Sequence, residues 1–265
     1  MSGFRYIVLA FVLSALGAAQ GLDSPQQRFR DAYVGKVATL RHFCVHSKHS
    51  FDQSGVLRGR HKFGPWTLYS KLQIDRMDFT ARTVHIQGTR FFVGAPERET
   101  GPLSLYRTTD SVTIEAALDG EITTERLEAL FERIFLRSAE DLADLVPEYW
   151  RAYLRPSARK RKDQPTAESL DRLPQPQLVT PGFAVHQPPP VYPEVARAFQ
   201  RAGTVLLRGT ISRDGKVVDI VITKPAGFGL DEAAVEAVKK WKYVPYKVGG
   251  NPADVDTDIV INFHP

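Results

Sequence analysis

One short stretch of the sequence carries residue types that bind metal ions. His42, Cys44 and His46 alternate along the chain. On a β-strand, alternate side chains share one face, and imidazole together with thiolate suits zinc or copper. No second group of ligand residues is evident nearby, and such residues on a strand are more often ordinary core or surface residues. We therefore keep this metal site as an alternative and predict neither a bound metal nor a cofactor.

The chain has none of the short motifs that most often mark an enzyme. It contains no GxSxG nucleophile elbow, no HExxH zinc helix, no Walker A loop and no dinucleotide-binding glycine fingerprint. Catalytic groups can also converge from distant positions, so hydrolysis by the first half of the chain stays open as an alternative. We expect a non-enzymatic protein with no catalytic residues.

Composition indicates a folded protein that does not depend on disulfides. The 265 residues are 43% hydrophobic and 25% charged, as in globular domains, and their number suggests two modest domains. The net charge of +5 permits weak attraction to anionic surfaces but does not require a nucleic-acid partner, and we expect none. The single cysteine, Cys44, excludes an intramolecular disulfide.

The first residues are typical of a secretory signal peptide, which we predict over residues 1–21. Arg5 precedes an apolar run at 6–16, and small residues follow at 17–19. Together with these small residues the run is roughly 14 residues long, shorter than the ~20 that cross a bilayer. Cleavage near Ala19 would leave a periplasmic or secreted protein. An uncleaved anchor in the inner membrane is the alternative.

Residues 22–154 predict an antiparallel β-rich domain with a helical end, so the fold class is α+β. Apolar and polar residues alternate in short runs separated by Gly and Asp turns. After Thr123 the apolar period becomes helical, Ser138 begins a second short helix, and a last helical turn contains Trp150. The predicted strands cover residues 36–43, 66–74, 83–87, 90–93, 103–106 and 112–116.

The composition of residues 155–186 predicts a disordered linker. A run of four basic residues at 159–162 is followed by four prolines among polar residues, and the segment lacks the apolar side chains needed for a core. The basic run is interpreted as a solvated tether, with binding to an anionic lipid or polymer as the alternative.

The sequence pattern of residues 187–265 predicts a small domain with the element order αββαβ. A short helix follows Pro193 and ends before Gly203, and Asp214-Gly215 then joins two alternating runs as a hairpin turn. A second helix begins near Leu230, and the last run, 255–263, alternates strictly.

This final block resembles the C-terminal domain of TonB, the periplasmic protein that passes energy from the inner membrane to outer-membrane transporters. The resemblance covers about the last 30% of the chain and depends on the order and spacing of several individually weak features. These are Tyr192-Pro193, Gly203, Asp214-Gly215, Leu230-Asp231, Trp241, Tyr243, Pro245 and Gly250.

The resemblance implies that the domain captures an extended segment of an envelope protein, such as a TonB-dependent outer-membrane transporter, by strand addition at a sheet edge. Carried over by position, it implies contacts from the segment before the first helix and from the last strand. A last strand that simply closes the sheet, or that pairs with itself in a homodimer, would explain the same alternation. The implied partner-binding residues are Gln187, Pro189, Val191, Tyr192, Pro193, Val255, Thr257, Ile259 and Ile261.

The sequence also departs from a classical energy transducer. Such a protein keeps an uncleaved N-terminal helix with a functional histidine, whereas the first histidine here is His42. The linker is also too short for a long periplasmic spacer, with a reach of roughly 90 Å at ~3.1 Å per residue. We therefore favour an exported binding protein, and keep as alternatives a membrane-anchored TonB-type energy transducer for outer-membrane transport and a metal-binding or hydrolytic N-terminal domain anchored by the TonB-like one.

Acidic residues occupy one face of the predicted last strand. Asp254, Asp256 and Asp258 alternate with less polar residues. This pattern is typical of a solvated strand face or of protection against edge-to-edge aggregation, with a calcium site as a minor alternative.

Overall fold

The computed structural model describes residues 24–95, 103–155 and 179–265. The chain divides into two compact units, with the boundary between Leu145 and Val146. The predicted signal peptide at 1–21 and most of the predicted linker lie outside the described residues.

The first unit is built on a five-stranded sheet with strand order β1-β3-β4-β5-β2. The β1–β3, β3–β4 and β4–β5 pairs are antiparallel, whereas β2 pairs with β5 in parallel. The expected antiparallel sheet is therefore mixed at this edge. The strands are β1 (Val37–Thr39), β2 (Lys48–Phe51), β3 (Lys71–Phe79), β4 (Thr83–Gly94) and β5 (Ser104–Ala117).

Helices α1 (Pro25–Tyr33) and α3 (Thr124–Ile134) share a hydrophobic core with this sheet. The Thr123 hydroxyl accepts the Arg126 N–H and so caps α3 at its predicted start. The predicted second helix is α4 (Ala139–Leu145), where Ser138 and Asp141 exchange backbone-to-side-chain bonds as a capping box.

Several strand predictions in the first unit have the wrong bounds. The segments 103–106 and 112–116 form the single strand β5, and within 36–43 only residues 37–39 form a strand, β1. The predicted strand 66–74 begins as the short helix α2 (Trp66–Tyr69), because Pro65 has a φ of −54° and its carbonyl accepts N–H bonds from Leu68 and Tyr69. The segments 83–87 and 90–93 form one strand, β4. Gly88 lies between them not as a turn residue but because a β-carbon there would collide with the Gln73 carbonyl of β3.

The second unit contains the predicted αββαβ core. Its three-stranded antiparallel sheet has the order β13-β8-β9. Its elements are α6 (Glu194–Ala198), β8 (Gly203–Ile211), β9 (Val217–Lys224), α7 (Leu230–Val238) and β13 (Val255–Phe263).

Short strands extend this unit beyond the predicted pattern. The sequence predicts residues 179–186 as the end of a disordered linker, but they form β6 (Val179–Thr180) and β7 (Phe183–His186). They pair with β11 (Tyr246–Val248) and β10 (Lys242–Val244), respectively, and β11 also pairs with β12 (Asn251–Ala253). The linker prediction was wrong here because local composition does not reveal backbone partners some 60 residues away.

Helix α5 (Glu148–Leu154) also belongs to the second unit, although the sequence places it at the end of the first block. Trp150 is fully buried, and its indole N–H donates to the Glu232 carboxylate of α7 over 2.9 Å. The helix lies beside β9, where Glu148, Tyr149 and Lys239 line a groove with residues 217–221. The unit therefore begins well upstream of the predicted domain start at residue 187.

Candidate functional site

Strand β13 is paired along one side only within the described part of the chain. It runs antiparallel to β8 for its whole length, from the Val255–Ile211 pair to the Phe263–Gly203 pair. Since β8 is the central strand, β13 forms one edge of the sheet. The N–H and C=O groups on its unpaired side can form hydrogen bonds with an extended peptide.

The opposite edge of the sheet is occupied. At the hairpin that leads into β9, the Tyr243 N–H of β10 donates to the Gly215 carbonyl over 2.8 Å, and Lys216 forms a bridge with Lys242. Farther along β9, helix α5 lies beside the strand. The β9 edge is thus covered by the chain itself, as edge strands in soluble proteins often are.

The inward side chains of β13 belong to the core of the unit. Ile259 and Ile261 are each only 5% exposed, and Val255 and Thr257 are partly buried on the same face. A partner lying along β13 would therefore meet the backbone of these four predicted residues more than their side chains. The inward row ends at Phe263, which the sequence did not single out and which is 3% exposed.

The outward row of β13 is polar except at one position, and each polar member bonds to the neighbouring strand β8. The hydroxyl of Thr210 donates to Asp256 over 2.6 Å, and the Arg208 guanidinium donates to Asp258 over 3.0 Å. The fourth row member, Asn262, accepts from the Thr204 hydroxyl over 2.8 Å. Between the aspartates and Asn262 lies Val260, which is 56% exposed. Sequence reasoning assigned this row no partner contacts.

The segment before α6 contacts β13 at Tyr192. The Tyr192 ring lies edge-on to Phe263 at 5.8 Å between centroids. Its hydroxyl donates to the Arg201 carbonyl, and the Arg197 guanidinium lies over the ring at 5.7 Å. Tyr192 is thus fixed beside the end of the open edge, next to Val191, which is 79% exposed.

The beginning of the same segment lies elsewhere. The Gln187 side chain donates to the Tyr243 hydroxyl over 2.8 Å, and the Pro188 carbonyl accepts the indole N–H of Trp241. Gln187 therefore lies against β10, on the covered side of the sheet. Pro189 is exposed between the two ends, and Pro193 is the N-cap of α6.

Buried acids join α7 to its surroundings. Asp231 is fully buried and accepts N–H bonds from Ala226 and Gly227 at 2.8 and 2.7 Å. Burial and the neighbouring Glu232 raise the pKa of Asp231 well above its usual range. Burial also raises the pKa of Glu232, against the opposing effect of the Trp150 N–H. These residues fix the start of α7 and the position of α5, so their role is structural.

The alternative metal site is not assembled. β1 ends at Thr39, so His42, Cys44 and His46 do not alternate on a strand. Cys44 is fully buried, and burial raises its thiol pKa to about 11, which disfavours the thiolate that binds metals. His42 is partly buried and His46 is exposed. Among the described residues, no group of three or more His, Cys, Asp or Glu side chains is arranged to hold a metal ion.

Comparison with known proteins finds relatives for the last part of the chain. Residues 188–265 match the family described as "Gram-negative bacterial TonB protein C-terminal". The chain is 40% identical over 80 residues to "Protein tonB2" of Pseudomonas aeruginosa, covering 30% of each protein. It is 33% identical over 106 residues to "Protein TonB" of Vibrio cholerae, covering 39% of this chain and 43% of that protein.

A solved structure is also similar in sequence. The solution NMR structure of the Pseudomonas aeruginosa TonB CTD is 26% identical, with a TM-score of 0.27, and the match covers 32% of this chain and 86% of that one. The chain spans less than half the length of the two curated relatives. Residues 188–265 thus form a TonB-like C-terminal domain, the part of the chain that the sequence resemblance predicted.

Proposed function

We propose that this chain is an exported, non-enzymatic binding protein of the cell envelope. Its TonB-like domain takes an extended segment of an outer-membrane transporter as an additional strand along β13. The first unit, built on the mixed sheet, serves as a second interaction module.

The observation that carries this proposal is the open edge of β13. Nine residues of the strand pair with β8 on one side, while β10 and α5 cover the edge of β9. Backbone hydrogen bonds along an edge give affinity for almost any extended segment, and neighbouring side chains then give selectivity.

The kind of partner is supported by the comparisons. The matching relatives are TonB proteins, and the TonB family acts in the cell envelope with outer-membrane transporters. In the described residues no helix has the length and apolar character needed to cross a membrane. Whether the chain also transmits energy depends on residues 1–21, so the membrane-anchored transducer is the competing proposal.

Proline substitution in β13 tests the edge directly. The N–H groups of successive strand residues point alternately to the two sides, so one of Thr257 and Val260, which are three positions apart, directs its N–H away from β8. At the position whose N–H points away from β8, proline removes one hydrogen-bond donor of the open edge without breaking the pairing with β8. We make Thr257→Pro and Val260→Pro, which leave the buried side chains of β13 in place, and retain the variant that melts like the parent protein. We expect it to bind extended peptides tiled from the host's outer-membrane transporters at least tenfold more weakly.

The matched control is Ala184→Pro on the exposed strand β7. It should leave peptide binding unchanged, because β7 is outside the proposed edge. Hydrogen exchange on the parent protein adds a readout that needs no variant, since a bound peptide should protect alternate amides of β13. Unchanged binding by the folded β13 variant, together with no added protection in β13, would rule out the proposed edge.

A further inference from the structure

A strand added beside β13 would lie next to the outward row, because side chains on one face of neighbouring strands stand side by side. The row consists of Asp256, Asp258, Val260 and Asn262, and its register with β8 is regular. Chemistry along this row would select among the many segments that the backbone edge alone accepts.

The negative charge of the row is neutralised unevenly. Asp258 forms an ion pair with Arg208 at 3.0 Å, and Asp254, just before the strand, forms one with Arg213 at 3.4 Å. Asp256 accepts a hydrogen bond from the neutral hydroxyl of Thr210. Within the described ranges no cation pairs with Asp256. Its negative charge can therefore interact with a side chain of an added strand.

An exposed apolar side chain lies four residues farther along the same face. Val260 is 56% exposed, although its partner on β8, Leu206, is partly buried. An apolar side chain on an adjoining strand would cover this exposed surface.

Building on the proposed function, we propose that β13 selects an extended segment with a basic side chain beside Asp256 and an apolar side chain beside Val260. The two side chains are four positions apart, on one face of the bound segment. An acidic side chain beside Asp256 is rejected, because like charges directly opposite each other destabilise paired strands. The edge thus distinguishes partners by charge as well as by the ability to extend.

The test uses capped nine-residue peptides of alternating Thr and Val. On the peptide face that would lie beside the outward row of β13, one position carries Lys, Gln or Glu. The position four residues away on the same face carries Val. Both orders of the two positions are synthesised, since the bound strand can run parallel or antiparallel to β13. Affinities for the full chain are measured by fluorescence polarisation at low and high salt, and hydrogen exchange identifies the strand that becomes protected.

We expect the Lys peptide to bind about threefold to tenfold more tightly than the Glu peptide at low salt, with the Gln peptide between them. In Asp256→Asn this preference should disappear, because the amide oxygen still accepts the Thr210 bond but carries no charge. The matched control is Asp258→Asn. It should reduce the preference less, since Asp258 stands two strand positions away from the charged side chain of the peptide.

The neutral Gln peptide separates the two proposals. If it binds and protects β13 but Lys and Glu peptides bind equally, the strand-addition function stands and the charge selection is wrong. A Lys preference that persists in Asp256→Asn also overturns the selection. If the Gln peptide neither binds nor protects β13, the proposed function fails, and the selection that depends on it fails too.

Discussion

His49 is a buried histidine in the first unit. This residue is 2% exposed, and one ring nitrogen bonds to the His46 carbonyl. Burial lowers the pKa of His49 to about 4, an effect opposed by that backbone bond and reinforced by the nearby Arg90. The folded protein therefore holds this histidine neutral at a pH where an unfolded chain would begin to protonate it.

We predict that the free energy of unfolding of the first unit falls as the pH drops from about 6.5 to about 4. Because the folded pKa lies below the unfolded value, the stabilisation is complete above the unfolded pKa and is lost toward the folded one. The loss from His49 amounts to at most about 3 kcal/mol. Urea unfolding at several pH values should show a shallower slope for His49→Gln, whereas exposed His46→Gln should keep the parent slope. Equal slopes for all three proteins would refute a role for His49.

A single turn residue, Gly215, should be far less replaceable than another glycine with similar backbone geometry. Gly215 and Gly250 have φ of +75° and +84°, a region that L residues rarely adopt. A β-carbon at Gly215 would collide with the Tyr243 carbonyl, whereas nothing lies within 4 Å at Gly250.

We therefore expect Gly250→Ala to lower the free energy of unfolding by about 1 kcal/mol, from backbone strain alone. Gly215→Ala should lower it by about 2–4 kcal/mol, because strain and collision add. Urea unfolding of the two variants measures the difference. Equal losses would show that β10 moves away from the hairpin at little cost.

Helix α5 stabilises the TonB-like unit from outside the matched family segment. It contributes the buried Trp150 and places Tyr149 under the Lys239 ammonium, 5.6 Å from the ring centroid. Without α5, residues 217–221 of β9 would lose their cover, and the sheet would have a second accessible edge.

Replacing the buried indole should loosen this helix. We predict that Trp150→Phe destabilises the second unit by about 1–3 kcal/mol, since it removes the partner of the buried Glu232 carboxylate as well as packing. Hydrogen exchange should rise along β9 but not along β13. The control, Arg151→Ala, changes an exposed residue of the same helix and should leave both strands as they are. Exchange that stays at the parent level in Trp150→Phe would show that α5 does not protect β9.

The elements that sequence patterns identified best were those with local signals. The Thr123 cap, the Ser138 capping box and the strict alternation of 255–263 each depend on neighbours within a few residues, and the structure places α3, α4 and β13 there. The parallel strand β2 and the pairing of β7 with β10 depend on distant backbone partners, so composition alone could not indicate them.

The same limit applies to the candidate site. Alternation indicated that Ile259 and Ile261 share the face opposite the solvated aspartates, and the resemblance implied a binding edge, but neither could show which edge of the sheet stays unpaired. Only the folded sheet shows β13 at an edge with Val260 exposed. The covered edge of β9 depends on α5, which sequence reasoning assigned to the other block.

For the whole molecule, the decisive question is the fate of residues 1–21. We predict that the protein recovered from the soluble periplasm of its host lacks roughly its first 19 residues. Intact mass spectrometry of the soluble and membrane fractions measures this directly. A full-length protein found only in the inner membrane would instead make energy transduction the leading function.

The pairing of β13 has a mechanical consequence. A load applied along this strand acts in shear, so the hydrogen bonds that join it to β8 along its nine residues are stretched together. A load across the strand would peel the same bonds apart one after another. A segment paired lengthwise with β13 would therefore resist a pull along its own axis. A pull across the strand would instead break its hydrogen bonds one after another from an end.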